Sequence, residues 1–179
     1  MKLTLRQQLM TATFAGIIAI FSQIIIPIGV VPWSLQTFII GLSVTLLGRK
    51  VGTWSVLIYF LLGLIGLPVF AGGASGMAAL FGPTGGYLIG FIFSSLIIGT
   101  ILENKEYTFF WTISANLVGF LVALCFGTVW LKFAADMNWS AAFTTGFLGF
   151  LFPEIIKAIC SGWFSVLLIH RLPQKFFST

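Results

Sequence analysis

The sequence predicts an all-α integral membrane protein with six transmembrane helices, cytoplasmic N- and C-termini, and a re-entrant or interfacial segment before the last helix. Of its 179 residues, 59% are hydrophobic and 7% are charged, whereas an ordinary soluble domain has about 25% charged residues. Charges are absent from residues 7–48, 51–102 and 107–131. Because a bilayer span needs ~20 mostly apolar residues, these stretches have room for five spans, and a sixth fits between 136 and 171.

This composition excludes several classes of protein: a disordered chain, a coiled coil, a disulfide-stapled secreted module and a soluble catalytic core. The net charge of +5 does not indicate nucleic acid, because the longest basic run is Arg49-Lys50 and basic residues are typical of span ends. We therefore expect one transmembrane domain over residues 1–179, in contact with the lipid bilayer as a multi-pass protein of the bacterial inner or plasma membrane.

The six spans are predicted, in order, at about 9–26, 33–48, 51–67, 84–102, 107–133 and 153–171. Pro27 and Pro68 end the first and third spans, and Pro153 suits a first helical turn, where its missing N–H has no partner in any case. A glycine-rich loop, residues 71–86, joins the third and fourth spans. Residues 138–152 are apolar yet too short to cross, which predicts non-helical backbone supported by protein or by a water-filled cavity.

Basic residues set the predicted orientation. On one side of a six-span chain lie seven cations: Lys2, Arg6, Arg49, Lys50, Lys105, Arg171 and Lys175. The other side has Lys132 alone, offset by Asp136. Cytoplasmic loops carry the excess of lysine and arginine, so both termini are predicted to be cytoplasmic. The turn at 30–34, the glycine-rich loop and the start of the sixth span then meet at the outer face.

The most informative pair is Glu154 and Lys157, which lie three residues apart and so on one helical face. A charge at membrane depth costs at least ~2.5–3.5 kcal/mol, and paired charges there usually mark a ligand or ion route. The alternative is a mutually neutralised pair close enough to the interface for Lys157 to snorkel. We favour the ligand hypothesis, in which Lys157 matches a carboxylate or carbonyl and Glu154 accepts N–H donors.

Further polar and aromatic residues are predicted to join this pair in one pocket. They are Ser34 and Gln36 at the start of span two, Thr84 and Tyr87 at the start of span four, Asn116 in span five, and the aromatic residues Trp33, Phe70 and Phe81. Interhelical hydrogen bonding explains each polar residue taken alone. Their convergence favours a small-molecule pocket, which is mostly apolar with a few polar groups that fix orientation.

Two further patterns bear on energy and assembly. The run from Gly82 to Gly86 lacks the Gly-Lys-Ser/Thr ending of a phosphate-binding loop, so energy for uphill movement would come from a partner or a gradient. In span one, Ala12 and Gly16, and likewise Ala15 and Ala19, place small residues four apart. Such surfaces let another helix approach closely, either within this chain or from another subunit.

An enzyme is the less favoured alternative. Ser75 in a Gly-x-Ser-Gly sequence and the single histidine, His170, are features of intramembrane serine proteases. The predicted topology puts these two residues at opposite faces of a ~30 Å bilayer, whereas a nucleophile and its base need hydrogen-bond contact. A single histidine also cannot supply a two-histidine zinc helix. We predict no catalytic residue, no metal and no cofactor.

Four motifs together resemble the BioY family, the biotin-specific S components of energy-coupling factor (ECF) transporters. In this sequence they are Val31-Pro32-Trp33-Ser34-Leu35-Gln36, the run from Gly63 to Gly73, the run from Gly82 to Phe91, and Phe152-Pro153-Glu154 with Lys157-Ala158. The resemblance covers nearly the whole chain, in order and with the right gaps. The chain departs from the family pattern at Glu154, where aspartate is usual, and at Ser34, where threonine is usual.

The resemblance implies a six-helix substrate-binding domain that captures biotin near the outer face. It implies a transmembrane coupling subunit and two cytoplasmic ATPases as partners, although the chain could also act alone. The first-helix surface that meets the coupling subunit matches Ala15 and Ala19. Lys157 would bind an acceptor of biotin, while Glu154, Gln36 or Asn116 share its ureido N–H groups, Thr84 and Tyr87 line the mouth, and the glycine-rich loop acts as a lid. The alternative is an S component for another vitamin.

Overall fold

The structure, a computed structural model, describes residues 3–171. Its helices are α1 (Leu5–Phe21), α2 (Gln36–Leu64), α3 (Gly76–Phe81), α4 (Gly85–Leu102), α5 (Phe109–Ala134), α6 (Trp139–Ala142) and α7 (Gly149–Arg171). Two short strands, β1 (Ile25–Ile26) and β2 (Trp33–Ser34), lie between α1 and α2. A 3-10 turn occupies Ala71–Gly73, and a π-helical segment, Phe143–Leu148, joins α6 to α7.

α1 ends five residues earlier than the sequence predicts. It begins after a capping box in which Thr4 and Gln7 exchange side-chain and backbone hydrogen bonds. It ends at Phe21, so the predicted span at 9–26 is wrong at its C-terminal boundary. The last two residues of that prediction form β1, which pairs antiparallel with β2. The apolar run was long enough for a helix, but β-branched Ile25 and Ile26 suit a strand.

The second and third predicted spans are the two arms of α2, which reverses direction at Gly48. Gly48 has φ 75° and ψ 171°, which is not helical and which glycine adopts at no steric cost. The arms then pack closely, because a Cβ added to Gly52 would lie 2.6 Å from the Cα of Val44. In one continuous helix these two residues would be ~12 Å apart. The chain therefore returns to the end where α2 began.

α4 packs on α5 and on α2, and α7 packs on α5 and on α2. Small residues make these approaches possible: a Cβ on Gly90 of α4 would lie 2.9 Å from the Cα of Ala123 of α5. Within the described residues, three helical stretches are long and apolar enough to cross a membrane, namely Gly85–Leu102, Phe109–Ala134 and Trp139–Arg171. The count of six spans stays a prediction.

The segment before the last helix differs from the prediction. Residues 139–171 form one helical stretch, in which α6 passes through the π-helical segment into α7. The expected non-helical backbone at 138–152 is therefore wrong, whereas an interfacial location of this segment stays a prediction. Asn138 caps α6 by accepting a hydrogen bond from Ala141 N–H at 2.7 Å. The π-helical turn is a wider form of helical turn, so the backbone stays helical from α6 into α7.

At the far end of the bundle, Arg49 donates to Glu103 at 3.1 Å and so ties the α2 reversal to the end of α4. Both side chains are nearly half exposed, which makes this a weak surface pair. Lys2 and Lys175, which contribute to the predicted charge asymmetry, lie outside the described residues. The cytoplasmic location of the two termini accordingly stays a prediction.

Candidate functional site

A cavity of about 260 Å³ lies at the end of the bundle where α2, α4 and α7 begin. Its lining combines five aromatic rings, several small apolar side chains and a few polar groups. The lining residues are Val31, Pro32, Ser34, Gln36, Thr37, Phe70, Ala71, Ala74, Thr84, Tyr87, Leu88, Phe91, Phe120, Ala123, Leu124, Phe150, Glu154 and Lys157. A mostly apolar wall with few polar groups is the usual character of a small-molecule site.

Glu154 and Lys157 are together in this lining, as the sequence predicts. Lys157 Nζ donates to Glu154 Oε1, and it also donates to the backbone carbonyl of Ser34 at 3.1 Å. The Glu154 side chain is 4% exposed and that of Lys157 is 13% exposed. The second carboxylate oxygen, Glu154 Oε2, is buried and has no hydrogen-bond partner among the described residues. The pair is therefore internally neutral but retains an unused acceptor at the cavity.

Ser34 and Gln36 form a polar cluster beside this pair. Ser34 Oγ donates to Gln36 Oε1 at 2.8 Å, and Gln36 Nε2 donates to the hydroxyl of Tyr59 on the second arm of α2. Tyr59 in turn packs edge-on against Phe70, with ring centroids 5.6 Å apart. Both ends of the Gln36 amide are thus engaged within the protein. Gln36 lines the cavity as predicted, and its amide is oriented by its neighbours rather than free.

Thr84 and Tyr87 also line the cavity, but Tyr87 is buried rather than at an open mouth. The Tyr87 hydroxyl donates to the carbonyl of Gly146 in the π-helical segment at 2.8 Å. Its ring lies 5.7 Å from that of Phe150, another lining residue. Thr84 Oγ1 donates to the carbonyl of Ala79 at 3.3 Å. The two residues predicted at the mouth therefore build a fixed wall between α4 and α7.

Trp33 lies outside the cavity lining, contrary to the prediction. It lines a separate cleft between the strand pair and the start of α7, together with Ile24, Ile26, Ser34, Leu35, Pro153, Ile156 and Lys157. Trp33 does contact the cavity wall indirectly, since its ring packs edge-on against Phe150 at 6.4 Å. Of the other predicted aromatic residues, Phe70 lines the cavity and Phe81 is 63% exposed.

The prediction that Asn116 shares the ligand site is wrong. Asn116 is fully buried, and its Nδ2 donates to Thr45 Oγ1 at 3.0 Å and to the Thr112 carbonyl at 2.8 Å. Its Oδ1 accepts from Ser161 Oγ at 3.1 Å. The amide thus joins α2, α5 and α7 by interhelical hydrogen bonds, which is the structural alternative for an amide inside a span.

Several lining residues carry no distinctive signal in the sequence. Phe120, Ala123 and Leu124 of α5, and Leu88 and Phe91 of α4, line the cavity as apolar residues within apolar runs. Thr37 was also missed, although it directly follows Gln36. Its hydroxyl oxygen is buried without a hydrogen-bond partner among the described residues. The side of α2 that Thr37 faces could have been predicted only once the first residue of the helix was known.

The small residues of α1 divide between two faces. Ala15 is 1% exposed and belongs to the core of this chain, with Ala19 packed against that core. The prediction that Ala15 faces a partner is therefore wrong. Ala12 is exposed, and a Cβ added to Gly16 would meet no atom within 4 Å. Ala12 and Gly16 hence form the open small-residue surface of α1.

The residues of the protease alternative lie at different ends of the bundle. Ser75 precedes α3 beside the cavity lining, whereas His170 is the penultimate residue of α7. His170 lies thirteen positions beyond Lys157 in α7, which is ~20 Å along the helix axis. Since a serine nucleophile must contact its base, this arrangement does not support nucleophilic catalysis.

Comparison with known proteins identifies the family. The sequence model described as "BioY family" matches residues 1–174. The chain belongs to the BioY family. It is 45% identical over 166 residues to the biotin transporter BioY2 of Lactococcus lactis subsp. cremoris, covering 92% of this chain and 91% of that protein. It is 39% identical over 155 residues to the biotin transporter BioY of Thermotoga maritima, covering 87% of this chain and 90% of that protein.

A solved structure has the same fold. The S-component for biotin from an ECF-type ABC transporter superposes on this BioY family member with a TM-score of 0.87 at 31% sequence identity. The match covers 99% of this chain and 100% of that chain. This chain is therefore a multi-pass helical membrane protein with the S-component fold, and its cavity lies within that fold.

Proposed function

We propose that this BioY family member binds biotin in the cavity beside Glu154 and Lys157 and is the substrate-binding subunit for biotin uptake, not an enzyme. The observation that carries the proposal is the buried acid and the mostly buried amine at the cavity, with Glu154 Oε2 left unpartnered among the described residues. A buried acceptor without a donor costs about 1–3 kcal/mol, and more if it is charged. A ligand that supplies a donor removes this cost.

The charge balance of the site suits the ureido head of biotin. Glu154 and Lys157 together are neutral, so an uncharged ligand group with both donors and acceptors leaves the buried site neutral. A ureido N–H can donate to Glu154 Oε2, while its carbonyl accepts from a donor nearby. The thiophane ring and the aliphatic chain of biotin then meet the apolar wall formed by Phe91, Phe120 and Phe150.

Equilibrium titration of the detergent-purified chain with radiolabelled biotin tests the proposal directly. We expect saturable one-site binding that excess unlabelled biotin abolishes and that excess riboflavin, thiamine or folate leaves unchanged. Displacement by another vitamin at equal concentration would instead support the alternative, an S component for that vitamin. A rise in melting temperature that biotin causes and the other vitamins do not would be an independent measure of the same binding.

We further propose that the chain resides in the cell membrane and works with a transmembrane coupling subunit and two cytoplasmic ATPases. Ala12 and Gly16 provide the open surface of α1 for the coupling subunit. Gly16→Leu should weaken copurification of the coupling subunit without changing biotin affinity. The matched control is Thr100→Leu, at an exposed position of α4 rather than α1. Biotin uptake by cells that lack every coupling subunit would show that the chain acts alone.

A further inference from the structure

Two side chains in the cavity lining have a buried oxygen without a hydrogen-bond partner within residues 3–171. One is Glu154, through Oε2, and the other is Thr37, through Oγ1. Glu154 is 3% exposed and Thr37 is 6% exposed, so neither oxygen is satisfied by bulk water. They reach the same cavity from different helices, α7 and α2. Buried polar groups normally have partners, so two exceptions at one cavity require an explanation.

Thr37 lies in the first turn of α2, where the usual helical acceptor for a hydroxyl is missing. Three buried helical hydroxyls elsewhere in the bundle donate to the carbonyl four residues earlier: Thr11 to Gln7 at 2.7 Å, Ser43 to Ile39 at 2.6 Å and Ser55 to Val51 at 3.0 Å. The buried hydroxyls of Thr53, Ser94 and Thr128 also have no partner among the described residues, but these residues do not line the cavity. Four residues before Thr37 is Trp33, which belongs to β2 and not to the helix. The usual helical acceptor is therefore absent, and the hydroxyl can donate to a ligand instead.

The start of α2 favours an oxygen as the acceptor of this hydroxyl. The N-cap residue Leu35 provides no side-chain cap. The backbone N–H groups of Thr37 and Phe38 have no acceptor in the part of the chain described. The positive end of a helix dipole lies at such a start and stabilises negative charge nearby. The partial negative charge of a carbonyl oxygen meets this condition, whereas an N–H group does not.

We infer that Thr37 is a specificity-determining residue that donates its hydroxyl proton to the ureido carbonyl of biotin while Glu154 Oε2 accepts the adjacent ureido N–H. This inference rests on the proposed function. A cyclic urea presents an N–H and a C=O side by side on one edge, and the free donor on α2 and the free acceptor on α7 form the matching pair. A ligand that lacks this edge leaves both oxygens unsatisfied, which is how a buried polar site rejects analogues.

Thr37→Val tests the inference, because it removes the hydroxyl and keeps the shape of the side chain. We expect its dissociation constant for biotin to rise about fivefold to tenfold, the loss of one hydrogen bond. Thr37→Ser, which keeps the hydroxyl, should restore affinity to within about twofold. The melting temperature without ligand should not fall in Thr37→Val, because the hydroxyl has no partner to lose in the empty protein.

Thr53→Val is the matched control. Thr53 lies on the second arm of α2, its hydroxyl is also buried without a partner among the described residues, and it does not line the cavity. It should leave biotin affinity unchanged. If Thr37→Val binds biotin as wild type does, or if Thr37→Ser fails to restore a loss, the role of Thr37 is refuted while the proposed function stands. If wild type itself does not bind biotin, both are refuted.

Discussion

Replacing Lys157 by methionine removes the amine from the cavity while nearly preserving the length of the side chain. The Glu154 carboxylate would then lose the hydrogen bond to its Oε1, and the Ser34 carbonyl would lose its donor at 3.1 Å. Glu154 is 3% exposed and would be left as an unpaired buried acid. Breaking a buried ion pair in this way costs about 3–5 kcal/mol of stability. We therefore expect Lys157→Met to lower the melting temperature without ligand.

Biotin binding should fall as well, because Lys157 holds Glu154, the acceptor that we propose for the ureido N–H. A hydrogen bond to a charged group contributes about 1.5–3 kcal/mol, so its loss corresponds to roughly a 10- to 150-fold rise in the dissociation constant. The double variant Glu154→Gln/Lys157→Met separates the two effects. It removes the buried charge, so the melting temperature should recover in part, whereas biotin affinity should stay low. Both quantities are measured in detergent, by thermal unfolding and by radioligand titration.

Lys132→Met is the control for a general effect of losing a lysine. Lys132 lies in the last turn of α5, where its Nζ is 4.6 Å from the ring centre of Phe133, and it does not line the cavity. It should leave biotin affinity unchanged. The reasoning is refuted if Lys157→Met binds biotin with wild-type affinity, or if the Glu154→Gln/Lys157→Met variant is no more stable than Lys157→Met.

Three further predictions address the rest of the account. Asn116→Leu should reduce stability by about 1–3 kcal/mol in thermal unfolding, because it leaves buried partners unsatisfied, yet keep biotin affinity within about twofold. Wild type should resist labelling by a fluorophosphonate probe, and Ser75→Ala should bind biotin normally; labelling at Ser75 would revive the protease alternative. In a cysteine-free background, an impermeant maleimide should label Met137→Cys but not Thr4→Cys in intact cells, and the reverse would overturn the predicted orientation.

The parts of the fold that the sequence predicts well depend on charge and on local spacing. Charge-free stretches locate the helices, and the three-residue spacing of Glu154 and Lys157 places both on one face of α7. The reversal between the arms of α2 is predicted from Arg49-Lys50, one residue beyond the observed break at Gly48. These features need no knowledge of how the helices pack.

The features that were predicted wrongly depend on which way a helix faces. Asn116 and Phe120 are one turn apart on α5, yet only Phe120 lines the cavity. All sides of α5 are apolar, so the sequence has no polar face that would indicate its rotation in the bundle. Ala15 and Gly16 show the same difficulty on α1: a small residue suits a tight internal contact as well as an open docking surface.

The π-helical segment was missed for a different reason. Residues 138–152 are too short for a separate span, and the prediction treated them apart from the helix that follows. Only the continuity of the backbone through Pro153 shows that they extend α7. Proline near the start of a helix was interpreted as its first turn, whereas the helical stretch already begins at Trp139.

A structure of the chain with biotin bound would measure the distance that matters most, from Glu154 Oε2 to the nearest nitrogen of the ligand. The account predicts a ureido nitrogen at a hydrogen-bond distance of about 2.7–3.2 Å from this oxygen. Biotin bound elsewhere, or bound in the cavity with Oε2 still unpartnered, would contradict it.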